Sequence, residues 1–420
     1  MKKLGAQLFF LFFFVYGFSQ NITIEKFKSQ ELAGEIIDER VIKIYIPDSY
    51  KTDSTQTYPL AVVLDAEHLF DIYVANSRLF ATRDKAPEQI VVGVMQNQKN
   101  ERKLDCAVNF ENSMLTETSS KFYKFIKNEL LPNMENKYRL SPFKTIVGNT
   151  LTANFINYFL VEPQQIFNAY ININPFFPDG LSALFQGKIP ILEPRTYYYL
   201  NTGKYNGEKR NKAIEKIHYI LNNVENESFV YKFDKYDNST KTSSIGQSIP
   251  AALAHIFEMY SSISKEEFEE HVAHLSPAEA IEYLEKKYVE IQYLFGANKR
   301  IRQRDIFAVE SIILDKENGD YLEEFGKMII RLYPESPIGD YYIGQYYETG
   351  NDLKNALKYY KNGYAKIPGD DPNGDGYYEN VERVLAKRKA KRPTLEEEEN
   401  TEGETDENGE NGENGEDGGN

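Results

Sequence analysis

The sequence predicts an α/β fold, a mostly parallel sheet with helices on both faces, followed by an all-helical region. Between Asn21 and about Ser262, short β-branched and aromatic runs alternate with longer amphipathic segments, the pattern of parallel strands joined by crossover helices. After Ile263 the strand signal disappears and helical periodicity takes over. With 420 residues, the chain exceeds what one core organises, so two folded units are expected. Apolar residues make up 41% and charged residues 27%, while 31 Tyr and 26 Phe supply large aromatic burial.

The elements follow in order. Residues 1–20, MKKLGAQLFFLFFFVYGFSQ, pair a basic start with an apolar run shorter than the about 20 residues of a spanning helix, the layout of a cleaved signal peptide. Export to the periplasm, cell surface or medium is therefore expected. Strand-like runs then begin at Arg40 (RVIKIYIP), Pro59 (PLAVVLD), Gln89 (QIVVGVM), Phe143 (FKTIVG), Asn168 (NAYININ), Thr196 (TYYYLN) and Ser228 (SFVYKFDKY). The segment from Ser120 places Phe122, Phe125, Ile126, Leu130 and Leu131 on one helical face, and that from Asn211 does so with Ile214, Ile217, Ile220 and Leu221.

The organisation expected is thus an α/β domain over 21–262 and a helical domain over 263–390. In the latter, Ile343, Gly344, Tyr347, Ala356, Tyr360 and Pro368 fall at tetratricopeptide-like spacing, and Pro334 precedes Pro368 by one 34-residue period. An acidic tail, 391–420, holds too few apolar residues to drive folding and reads as disordered. Most of the net charge of −15 sits there, since Glu396 and beyond include no Lys or Arg. No basic patch remains to bind nucleic acid.

The window from Ser141 to Phe177 carries the chemistry. A strand, a tight turn and an apolar helix from about Ala153 form the strand–turn–helix in which an α/β hydrolase exposes its nucleophile, normally within Gly-x-Ser-x-Gly. Here the stretch reads Gly148, Asn149, Thr150, Leu151, Thr152. YPLAVVLDAEHLF, PEQIVVGVMQNQKNERKLD, ELLPNMENKYRLSPFKTIVG and EPQQIFNAYININPFF add further matching pieces. Together these resemble the putative esterase family of enterobactin esterases and esterase D, and in particular its exported Bacteroidota-type members with a helical C-terminal extension. The resemblance covers most of Arg40 to Tyr260. It implies an α/β-hydrolase fold, with Asn97, Arg102 and Asp105 at the places of a family motif.

The departures fall on the reactive groups. Where the family has Gly-His-Ser-x-Gly-Gly, Thr150 stands at the nucleophile, and its methyl group crowds a strained turn. Thr152 puts a side chain where the elbow wants none. Where the family has Thr-His-x-Ser before its last helix, the chain has Thr240, Lys241, Thr242, Ser243, so Lys241 takes the place of the base. An unperturbed lysine, pKa about 10.4, is protonated at neutral pH and cannot accept the nucleophile's proton. Glu208 is the candidate acid, with a solvated surface carboxylate as its other reading. Backbone donors around Glu67 and His68, with the N–H of Leu151, would form the oxyanion pocket. His68 itself reads as a binding or packing residue.

The remaining candidates read as bland. Cys106 is the one cysteine and lacks the context of a nucleophile. His218 and His255 pack in helices, and His271 and His274 lack a companion metal ligand. No metal or cofactor is expected. Three functional readings stay open. The leading one is an inactive or impaired esterase relative that binds a small acylated ligand or a protein within a cell-envelope assembly. The others are an active carboxylesterase with an unusual nucleophile and base, and an interaction protein working through its helical region.

Overall fold

The computed structural model describes residues 21–32, 39–97, 99–109, 111–296, 301–317, 319–372 and 374–402. The leader expected at 1–20 and residues 403–420 of the tail lie outside them. The chain divides into two compact units, Met1–Ser261 with Glu290–Asn298, and Ser262–Val289 with Lys299–Asn420.

In the first unit, eight strands form one sheet: β1 (Ile22–Lys28), β2 (Glu39–Tyr45), β3 (Tyr58–Val63), β4 (Ile90–Val94), β5 (Leu140–Asn149), β6 (Ala169–Ile173), β7 (Thr196–Thr202) and β8 (Phe229–Lys235). Their spatial order is β1-β2-β4-β3-β5-β6-β7-β8. β1 and β2 are antiparallel to their neighbours, and the strands from β4 to β8 run parallel. All the runs read from the sequence form strands. β1 was not among them, because as an edge strand it has almost no buried face to imprint a pattern.

Parallel strands buried on both faces read as continuous apolar runs, and β3 shows why. Leu60 and Val62 enter one core layer with Ile146, Phe155, Tyr170 and Tyr198. Ala61 and Val63 enter the other with Phe70, Phe143, Val147, Tyr199 and Leu253. The segment after Glu290 also belongs to this unit, beyond the boundary expected at 262. Phe295 carries it there, its ring 5.0 Å from Phe143 and 5.5 Å from Phe257.

The second unit is helical throughout its described residues. Helices Ile338–Thr349 and Leu353–Ala365 form a tight pair. A Cβ on Gly344 would lie 2.7 Å from the Tyr360 ring, so the helices meet closely where the repeat-like spacing placed a small residue opposite an aromatic. Helix Gly374–Glu402 runs on into the stretch from 391 expected to be disordered. Val381 and Val384 anchor this helix against Leu353, Ala356, Leu357 and Tyr360. Among the described residues, no helix is long and apolar enough to cross a membrane.

Candidate functional site

Three neighbouring strands end in left-handed residues that are not glycine. Asp65 follows β3 at φ 53°, Thr150 follows β5 at φ 58°, and Asn174 follows β6 at φ 50°. For a β-branched residue such as Thr150 this conformation is a strained outlier, and surrounding bonds must hold it. The Thr150 N–H donates to Ile173 O at 2.8 Å, and its carbonyl accepts from Asn154 N at 3.1 Å and Phe176 N at 3.2 Å. The elbow geometry therefore survives without serine. Gly148 makes it feasible, because a Cβ there would sit 2.5 Å from the Thr152 carbonyl carbon and 2.6 Å from Ala153 N.

Thr152 is accommodated, contrary to the expectation from the sequence. Fully buried, its hydroxyl donates to Asp65 Oδ2 at 2.7 Å and accepts from Asn149 N at 2.7 Å, so it ties the turn together.

The Thr150 hydroxyl is not free. Arg102, from the segment after β4, places Nη2 2.8 Å from Thr150 Oγ1 and 2.8 Å from Asn149 O. The same guanidinium forks onto both carboxylate oxygens of Asp65, with Nη2 2.8 Å from Oδ2. Burial works against the Arg102 charge, but the Asp65 carboxylate outweighs it and raises the arginine's pKa above its ordinary value. A permanently charged donor thus holds Thr150 from the β3 and β4 side of β5.

Behind this pair the polar layer continues inward. Gln96 accepts from Asp65 N at 3.2 Å and donates to Asp105 at 3.0 Å, and Asp105 pairs with buried Arg40 at 2.6 Å. Burial pushes Asp105 up to about 6, partly offset by Arg40 and Gln96. Burial also raises the Cys106 thiol well above its ordinary value, which keeps it protonated and unreactive.

The loops after β7 and β8, which supply acid and base in a hydrolase of this strand order, carry other chemistry. Thr240 and Ser243 form a capping box, Ser243 N donating to Thr240 Oγ1 at 3.1 Å and Thr240 N to Ser243 Oγ at 2.9 Å. Lys241 is the exposed first residue of helix Lys241–Ile256. Glu208 opens helix Glu208–Asn222 with its side chain 81% exposed and pairs with Lys212 at 2.6 Å. Between these loops lies a neutral lattice. Asn174 Oδ1 accepts from Tyr205 Oη at 2.6 Å, Asn174 Nδ2 donates to Ser244 Oγ at 3.0 Å, and Asn174 N donates to Asn201 Oδ1 at 2.7 Å.

The residues expected to supply oxyanion donors are placed as follows. The His68 backbone N–H already donates to Asp65 O at 2.9 Å, and its side chain is exposed. Glu67 acts through its carboxylate, whose Oε1 accepts from Gln96 N and Asn97 N, each at 2.8 Å. Leu151 is half-buried against the core. The structure thus brings Asp65, Arg102, Thr150 and Thr152 together and leaves Lys241 and Glu208 at the surface. The signal for Arg102 lay in its motif, but its target depended on the sheet order. His218 and His255 do pack, the first stacked 4.0 Å from Phe233 and the second bonded to Val230 O at 3.2 Å. Among the described residues, no group of three His, Cys, Asp or Glu side chains is placed to hold a metal.

Comparison with known proteins agrees with this architecture. Residues 34–156 match the family described as Putative esterase, so the resemblance drawn from the motifs holds over that span. An uncharacterised protein from Capnocytophaga ochracea is 26% identical, with 87% of this chain and 99% of that one covered at a TM-score of 0.76. An IroE-like serine hydrolase from Shewanella oneidensis shares the fold at 13% identity, with 82% and 100% covered and a TM-score of 0.51. No curated protein matches the chain at a significant level.

Proposed function

From a chain with an α/β-hydrolase fold and an esterase-family match over 34–156, we propose an exported esterase relative that does not turn over esters and works by binding. The observation that carries this reading is the Arg102–Thr150 hydrogen bond of 2.8 Å. In a sheet ordered β4-β3-β5-β6-β7-β8, the base-bearing loop lies on the β6 to β8 side of the elbow. Thr150 turns its hydroxyl the other way, onto a guanidinium that cannot accept a proton. Activation of the nucleophile needs an acceptor beside it, and Lys241 is a surface residue of a helix cap. Losing serine or histidine alone costs about 10⁶-fold in subtilisin, and this chain has lost both.

The test is labelling of the folded full chain with a fluorophosphonate, beside hydrolysis of p-nitrophenyl acetate and butyrate. The reading expects no adduct at Thr150 and no turnover above a Thr150→Val control. Stoichiometric labelling of Thr150, or turnover lost in that control, overturns it. Export is supported by the layout of residues 1–20 and is tested by the N-terminal sequence of the mature protein.

A further inference from the structure

At the end of the sheet opposite Thr150, where β2 ends and β4 begins, the first unit carries an open cavity of about 180 Å³. Gln89 and Ser77 form its inner wall and are locked to each other, Gln89 Nε2 donating to Ser77 Oγ at 3.1 Å while Gln89 Oε1 accepts from Tyr73 Oη at 2.9 Å. Tyr45 also lines it. Its ring is 7% exposed, and its hydroxyl has no hydrogen-bond partner among the described residues. Burial raises its pKa, so the hydroxyl stays protonated and offers a donor.

Charge of both signs surrounds the opening. Arg78 is exposed and carries no ion pair among the described residues, so its guanidinium is available. Opposite in sign stand Asp48 and Glu88. Among the described residues each keeps a carboxylate oxygen without a hydrogen-bond partner: Asn21 donates to Asp48 Oδ1, and Ser49 donates to Glu88 Oε2.

We infer that this cavity binds a free α-amino acid, carboxylate against Arg78 and the Tyr45 hydroxyl, ammonium against Glu88 and Asp48. A lone anion would be repelled by the two acids and a lone cation by the arginine, whereas a small zwitterion satisfies both. The volume points the same way, since drug-sized ligands occupy pockets of about 300–1,000 Å³. A peptide terminus would leave one of the two charged sides unpaired. This site is separate from the elbow, and its fate is independent of whether esters are cleaved.

The experiment is isothermal titration of the full chain with glycine, L-alanine, L-serine and L-threonine, each at millimolar concentration. N-acetyl-L-alanine and L-alanine methyl ester serve as probes lacking one charge. The inference expects saturable binding of at least one free amino acid, and about tenfold or greater weakening when either charge is capped. Arg78→Ala should bind the free acid no better than the methyl ester, and Glu88→Gln should lower affinity for the amine-bearing probes. Absence of saturable binding by all four amino acids overturns it. So does binding that Arg78→Ala leaves unchanged.

Discussion

Removing the guanidinium that joins β3, β4 and β5 should loosen the centre of the first unit. In Arg102→Ala, four acceptors each lose a donor: both Asp65 oxygens, Asn149 O and Thr150 Oγ1. Asp65, 1% exposed, would keep its carboxylate in the interior with, among the described residues, only the Thr152 hydroxyl donating to it. Breaking one side of a buried ion pair costs about 3–5 kcal/mol. Arg102 is itself 21% exposed, so water softens the loss and the lower end, about 3 kcal/mol, applies. That corresponds to about a hundredfold greater population of the open state. Amide hydrogen exchange of peptides covering 58–66 and 140–156 reads it directly, with peptides of the second unit as internal reference. Adding Asp65→Asn should restore part of the protection, because a neutral amide needs no counter-charge. Exchange within about threefold of wild type, or a double variant no better protected than Arg102→Ala, would refute the view that this pair holds the elbow.

Two further outcomes follow from the geometry. Gly148→Ala drives a methyl group into the backbone of Thr152 and Ala153, which cannot yield as a side-chain tip would, so destabilisation near about 3 kcal/mol is expected. An unchanged urea midpoint for the first unit would contradict the close approach. In the second unit, Glu348 accepts from Arg383 Nη2, Lys387 Nζ and Tyr360 Oη, each at 2.8 Å, and Arg383 first among them lowers its pKa to about 2. A depressed folded pKa gives stability that is complete above the unfolded value of 4.5 and lost as pH falls toward 2. Acid titration followed by helical circular dichroism should show that loss in the wild type and a flatter profile in Glu348→Gln. Superimposable profiles would discount the cluster.

Much of the fold was legible because parallel strands buried on both faces leave unbroken apolar runs, and all those runs became strands. The elbow was legible for a related reason: Gly148 and the turn after it obey a local steric rule. What surrounds the elbow was not. Arg102 reaches Thr150 only because β4 lies beyond β3, an order that no local pattern encodes. Thr152 looked intrusive by size alone, yet its hydroxyl finds Asp65, a residue 87 positions away. Thr240 and Ser243 satisfied a family motif and a capping box at once, and the second role is the one the helix uses. Glu290–Asn298 joins the first unit through aromatic contacts that helical periodicity does not distinguish from the rest of that helix.

The strand order also constrains how the chain is built. β3 lies between β4 and β5 and pairs Leu60–Val63 with residues 144–147, so its second edge stays open until synthesis has passed β5. Until then β3 presents an apolar strand whose backbone groups lack partners on one side. A fragment ending before Leu140 should therefore aggregate, whereas one ending after helix Lys241–Ile256 closes every pairing of the sheet. Because Phe295 also packs in the first unit, a single cut after that helix would not separate the two units cleanly, and a holding chaperone would be needed most between the emergence of β3 and that of β5.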